Sequence, residues 1–164
     1  MTNFSPPALL SNYQVVKIRS EQSGLSKEDS AECTSYMLSC KCGNNKFDID
    51  GYDSEVGILN PPIYTICSSC QSKVLLFDPK KHGYDAHATL EANYIMPTEN
   101  QKHWKCSACN MSGLILVSFE YAIEEEFFEE FTSPPPEEWF TWIYIFHKCA
   151  INEAYHLAFD YECA

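Results

Sequence analysis

A chain of 164 residues with 45% hydrophobic and 14% aromatic content can bury a core, which excludes global disorder and suits one domain or two very small ones. The formal net charge is −12, from 11 Lys and Arg against 23 Asp and Glu, so no basic stripe is available to neutralise phosphates; direct nucleic-acid binding is not expected, and a basic protein partner is. The first ten residues carry no basic residue and no adequate apolar run, and the longest strongly apolar stretch, near Phe140 to Phe146, is far too short to span a bilayer. The expectation is therefore a cytoplasmic protein without membrane attachment, in which nine cysteines, an odd number, serve as metal ligands rather than disulfides.

In chain order, residues 1–12 read as a loose tail with Pro6-Pro7, Tyr13 to Arg19 as a strand, and the polar stretch Ser20 to Glu32 as a loop or short helix. Thr34 to Ser39 is a strand that enters the first of four short cysteine signals. These are Cys40-Lys-Cys42-Gly43, Cys67-Ser-Ser-Cys70, Cys106-Ser-Ala-Cys109 and a fourth that lacks its last cysteine, Cys149-Ala-Ile-Asn152. Each is followed by a short polar turn and an apolar stretch: Phe47 and Ile49, Val74 to Phe77, Leu114 to Phe119, and Tyr155, Leu157, Phe159 and Tyr161 at a period of two. Alternation at two residues marks a half-buried strand, and unbroken runs suit strands buried on both faces. Between the second and third signals, Asp78-Pro79 and His82-Gly83-Tyr84-Asp85 read as turns and Ala86 to Ala92 as a short helix. Ile123, Phe127 and Phe131 recur at four-residue spacing and predict an acidic amphipathic helix, blocked beyond by Pro134-Pro135-Pro136. Phe140 to Phe146 resumes as a strand.

A tight turn with a thiolate at each end presents two sulfurs to one side, and two such turns complete the tetrahedron that Zn²⁺ prefers. Pairing adjacent turns gives a first site of Cys40, Cys42, Cys67 and Cys70, closed and therefore structural. The second pair supplies Cys106, Cys109 and Cys149. Asn152 is a poor ligand beside thiolates, so the fourth place falls to His147, with Cys163 and His156 as further candidates. One zinc is expected and a second is possible on this pattern. Cys33 has no spaced partner and reads as a buried or incidental thiol. His82 with Asp85 offers a base and an orienting acid without a nucleophile, and reads as loop chemistry.

The turns and their spacing resemble those of the zinc-ribbon superfamily. The resemblance implies a mainly β fold: antiparallel zinc-ribbon-like sheets in tandem, with a short acidic helix. The organisation expected is an N-terminal tail, strand and loop over 1–32, a first ribbon-like unit with connector over 33–100, and a second, partly degenerate unit over 101–164. A weaker resemblance is to the β-tent glutathione-dependent formaldehyde-activating enzymes, carried by Cys40-x-Cys42-Gly43, Thr65-x-Cys67-x-x-Cys70 and Cys106-x-x-Cys109. It implies a structural zinc at Cys40, Cys42, Cys106 and Cys109, with Thr65 replacing a cysteine of the catalytic trio.

The function expected is that of a non-enzymatic zinc-binding interaction module with no small-molecule substrate. Its sharper form is an acidic immunity or inhibitor protein that masks a basic partner such as a toxin nuclease, docking through Glu125, Glu126, Glu129, Glu130 and Trp139. The alternatives are a zinc-dependent lyase or hydrolase of β-tent type, and an accessory zinc-ribbon subunit of a nucleic-acid machine.

Overall fold

The computed structural model describes residues 6–19, 33–53, 57–82, 101–121 and 140–163. The predicted acidic helix, the predicted helix at 86–92, the whole 20–32 loop and the segment 83–85 lie outside them. Nine strands are described: β1 (Gln14–Ile18), β2 (Cys33–Ser39), β3 (Phe47–Tyr52), β4 (Asn60–Cys67), β5 (Lys73–Phe77), β6 (Lys102–Trp104), β7 (Leu114–Glu120), β8 (Trp142–Lys148) and β9 (Tyr155–Glu162). Helical structure among these residues is limited to a 3-10 turn at Ala8–Leu10 and one turn of α-helix, α1, at Pro79–His82. The protein is thus mainly β, as its hydrophobic alternation predicts.

The strands form two antiparallel sheets, a larger one ordered β1-β2-β7-β8-β9 and a smaller one ordered β5-β4-β3-β6. One hydrophobic core joins them. Phe47, Ile49, Ile63, Leu76 and Phe77 come from the smaller sheet, and Tyr36, Leu38, Ile115, Val117, Phe119, Ile143, Ile145 and Phe159 from the larger. Phe77 meets Phe159 across it at 5.7 Å between ring centroids. The unbroken run in β7 behaves as its composition suggests, with Ile115 through Phe119 buried on both faces.

The sheet orders carry a hidden repeat. Read from one edge, β5-β4-β3-β6 corresponds to β9-β8-β7-β2, and the residue registers agree. Ile49 pairs with Thr65 and Trp104 in the smaller sheet, while Ile115 pairs with His147 in the larger, where β2 runs antiparallel to β7 on its other side. Each repeat contributes its first strand to the other repeat's sheet. Strand pairing therefore crosses between residues 33–82 and 101–163 in both directions. Phe47 and Gly113 occupy corresponding places and bond to each other, amide to carbonyl at 2.8 and 3.1 Å, where the two repeats meet. The correspondence extends to irregularities. Register slips between Ile63 and Tyr64 against β5, and between Ile145 and Phe146 against β9, leaving Leu76 and Ala158 as the extra residues of matched bulges.

Two of these strands are not apparent in the sequence. β4 begins Asn60-Pro61-Pro62, which masks a strand, although prolines are tolerated at a strand's start. β6 is three residues long and mostly polar. The turn expected after Phe77 is instead α1. Asp78 caps it through Oδ1, which accepts from the Lys80 amide at 3.0 Å.

Candidate metal centres

All four cysteine turns sit at the ends of strands. The second joins β4 to β5 and the fourth joins β8 to β9, both within a sheet. The first leads from β2 to β3 and the third from β6 to β7, each crossing between sheets. The second, third and fourth turns share one backbone design. The Gln71, Asn110 and Glu153 amides donate to the Cys67, Cys106 and Cys149 carbonyls at 3.0, 2.8 and 3.1 Å. The donating residue has a left-handed φ each time, 59°, 53° and 57°. The first turn is one residue shorter and closes from Gly43 to the Cys40 carbonyl at 2.8 Å, with Gly43 at φ +91°, a conformation that favours glycine.

These turns bring Cys40, Cys42, Cys67 and Cys70 together, with all four sulfurs within 4.8 Å of one another. Cys40 Sγ lies 3.6 Å from Cys70 Sγ, and Cys42 Sγ lies 3.6 Å from Cys67 Sγ. A tetrahedron with metal–sulfur bonds of about 2.3 Å has edges of about 3.8 Å. The cluster is therefore compatible with a zinc-ribbon-like site, and the pairing is between adjacent turns. The set Cys40, Cys42, Cys106 and Cys109 implied by the β-tent resemblance is not the one assembled. Cys40 and Cys67, the leading cysteines, are buried, whereas Cys42 and Cys70 are exposed.

Local electrostatics acts in opposite directions on the two buried sulfurs of this cluster. At Cys67, burial opposes ionisation, but the Cys70 and Ser69 amides, the Asn44 carboxamide and the Cys42 thiol outweigh it and lower the thiol to about 6. At Cys40 the Cys42 amide favours the thiolate, yet burial and the neighbouring sulfurs push it up to about 12. A cluster with only its own hydrogen bonds thus supports one thiolate readily and resists the next. A divalent cation held here would let all four ionise together.

The second cluster differs from the expected ligand set. Cys106, Cys149 and His156 bring their ligand atoms within 4.8 Å of one another. The Cys109 thiol interacts with the Cys106 and Cys149 thiols but falls outside this group. His147, the expected fourth ligand, is not in this group. It is buried on the core side of β8, 5.2 Å from the Trp104 ring and bonded to the Met111 backbone. Burial holds its imidazole below the ordinary histidine range. His156 stands directly opposite His147 on β9. A strict period of two along Tyr155, Leu157, Phe159 and Tyr161 would put His156 on the other face; the bulge at Ala158 reverses that below it. Asn152 does occupy the place corresponding to Cys70, but its side-chain oxygen accepts the Ala154 amide at 3.0 Å.

Cys163 lies at the end of β9, half-buried, its sulfur 3.8 Å from the Tyr161 carbonyl, and Cys33 begins β2; neither joins a cluster. His82 closes α1, with Nδ1 accepting the Asp78 amide at 3.0 Å and the ring stacked on Phe77 at 5.8 Å. The Asp78 carboxylate bonds the Lys80 amide, so this histidine and aspartate cap a helix turn. Glu125, Glu126, Glu129, Glu130 and Trp139 lie outside the described residues. One polar group has no sequence signal. Asp50 on β3, nearly fully buried, meets Lys73 of β5 at 3.0 Å, across β4, and His103 of the adjacent β6.

The fold and first cluster together define a class: a mainly β protein of two antiparallel sheets carrying a four-cysteine cluster compatible with a zinc-ribbon-like site. No protein-family model matches the chain, and comparisons with curated proteins and with solved structures found no match. Among the described residues, no helix is long and apolar enough to cross a membrane.

Proposed function

We propose that this protein is a non-enzymatic, zinc-stabilised interaction module that binds a basic protein, in the manner of an acidic inhibitor or immunity protein. The observation that carries the first part is the closed set of four cysteine sulfurs at Cys40, Cys42, Cys67 and Cys70. Four thiolates fill a tetrahedral ion's coordination, so no position is left to activate water or polarise a substrate, and such a site serves folding. Among the described residues no histidine joins this cluster, which is the group a lyase or hydrolase built on Cys67 and Cys70 would need.

The net charge of −12 supports the second part. Charge of that size attracts a cationic surface at long range, and the aromatic residues interleaved with the glutamates of 124–142 supply anchors of the kind that dominate binding energy. The test is capture of the partner from the native host, identified by mass spectrometry, followed by binding kinetics in low salt. Reversal of Glu125, Glu126, Glu129 and Glu130 to Lys is expected to slow association at least tenfold, with zinc content unchanged. Added salt should weaken wild-type association, because screening shortens to a few ångströms (~3 Å) near 1 M. An unchanged rate and affinity for the charge-reversed protein would remove the docking assignment. Zinc-dependent turnover abolished by His82→Ala would replace the non-enzymatic reading.

A further inference from the structure

We propose that Cys106, Cys109, Cys149 and His156 form a second zinc centre, in which His156 takes the coordination place that the repeat assigns to residue 152. The proposal rests on the zinc reading of the first cluster and deepens it.

Three observations point the same way. The ligand atoms of Cys106, Cys149 and His156 already lie within 4.8 Å of one another, and the Cys109 thiol, outside that group, interacts with the Cys106 and Cys149 thiols. Those three atoms suit three corners of a tetrahedron, and Cys109, outside the 4.8 Å group, would close on it to supply the fourth. Second, His156 Nε2 is buried with no hydrogen-bond partner. An unsatisfied buried nitrogen is destabilising, and a metal bond removes that cost. Third, the repeat shows what changed. In the first repeat both turns of the cluster end in cysteine, and the cross-strand pair beneath the second turn is Thr65 and Val74. In the second repeat the corresponding pair is His147 and His156, and the corresponding turn ends in Asn152. The histidine stands where one cysteine has been lost. The fourth turn nevertheless keeps the amide contacts that hold its leading sulfur, from Ile151 and Asn152 to Cys149, as Ser69 and Cys70 do for Cys67.

His147 has an unpartnered buried Nδ1 as well, but its ring is held by Trp104 and the Met111 backbone, and Gly113 leaves the space it fills. Its role is to pack beneath the centre and set the position of His156 across the strand pair.

The test is zinc stoichiometry by elemental analysis on the full chain, with 113Cd NMR of the cadmium-exchanged wild type. Two metals per chain are expected, giving one resonance from a four-sulfur environment and one from three sulfurs and a nitrogen. His156→Ala should lower zinc from two to one. Asn152→Cys added to His156→Ala should restore two, now with two four-sulfur resonances. One metal in the wild type, or a loss caused by His147→Ala and not by His156→Ala, overturns the assignment while leaving the first centre standing. No metal in the wild type overturns the zinc reading of both. Because the wild-type cadmium spectrum identifies the donors without a substitution, misfolding of a variant does not protect the proposal.

Discussion

In the first cluster a cysteine stands at both ends of each turn, whereas in the second the last position is Asn152 and a histidine from the neighbouring strand approaches the remaining sulfurs. The backbone beneath the two is nearly the same: the fourth turn has the carbonyl–amide closure and left-handed residue of the second. The turn is therefore shaped by backbone hydrogen bonds and strand ends, and the terminal cysteine is a ligand placed on a frame that does not need it. The outer surfaces differ too. Around the first cluster the turn residues are Lys41, Asn44, Asn45, Ser68, Ser69 and Gln71, all polar. The second cluster's turns carry Met111 and Ile151, 54% and 69% exposed.

The largest break in this comparison should come from Cys67→Ser. Cys67 is buried where the first cluster meets the core, so its loss removes one ligand and opens polar space beside Phe47 and Ile49. A structural zinc site contributes roughly 10 kcal/mol or more to folding. The variant should lose one zinc and its cooperative thermal transition; a soluble, stable variant lacking that metal would show that the first cluster is not structural. A smaller break tests the place where the repeats meet. Phe47 carries a side chain there, but a Cβ on Gly113 would lie 2.6 Å from the His147 ring and overlap the Lys148 carbonyl. Gly113→Ala should cost on the order of 2–4 kcal/mol, read as a lower denaturant midpoint at unchanged m. Wild-type stability in that variant would mean the pairing of Phe47 with Gly113 is not a fixed point of the fold. The smallest effect sharpens the view of the turn as a backbone frame. Glu153 holds φ 57°, which favours glycine. Glu153→Gly should raise stability by about 0.5–1 kcal/mol with zinc content unchanged; a loss of metal would show that the side chain matters to the turn.

How far the sequence reaches differs by feature. The strands after each cysteine turn are legible because alternation and apolar runs are local. So is the metal-ligand character of the paired cysteines, since closely spaced cysteine pairs have few other physical uses. The choice between His147 and His156 is not. From sequence, His147 copies the spacing of Cys40 and Cys42, while His156 sits out of phase with the apolar face of β9. The bulge at Ala158 shifts the register by one residue, and one residue exchanges the faces of a strand. The first repeat contains the same bulge at Leu76, but its unbroken run Val74–Phe77 hides the slip because every residue there is apolar.

The exchange of first strands is likewise absent from local pattern. β2 and β6 come first in the chain order of their own repeats, yet β2 pairs with β7 and β6 with β3. Hydrophobic periodicity states which face of a strand is buried, never which sheet receives its edge. By itself, then, the sequence determined the β class and the four cysteine turns, because each depends on residue type and short spacing, while it left the pairing of those turns open between Cys40, Cys42, Cys67 and Cys70 and the first-with-third set. The single core shared by both sheets, the crossing of strands between repeats and the arrival of His156 at the second cluster were decided only in the tertiary structure. They depend on backbone hydrogen bonds and bulges between segments far apart in the chain, which composition and spacing do not encode.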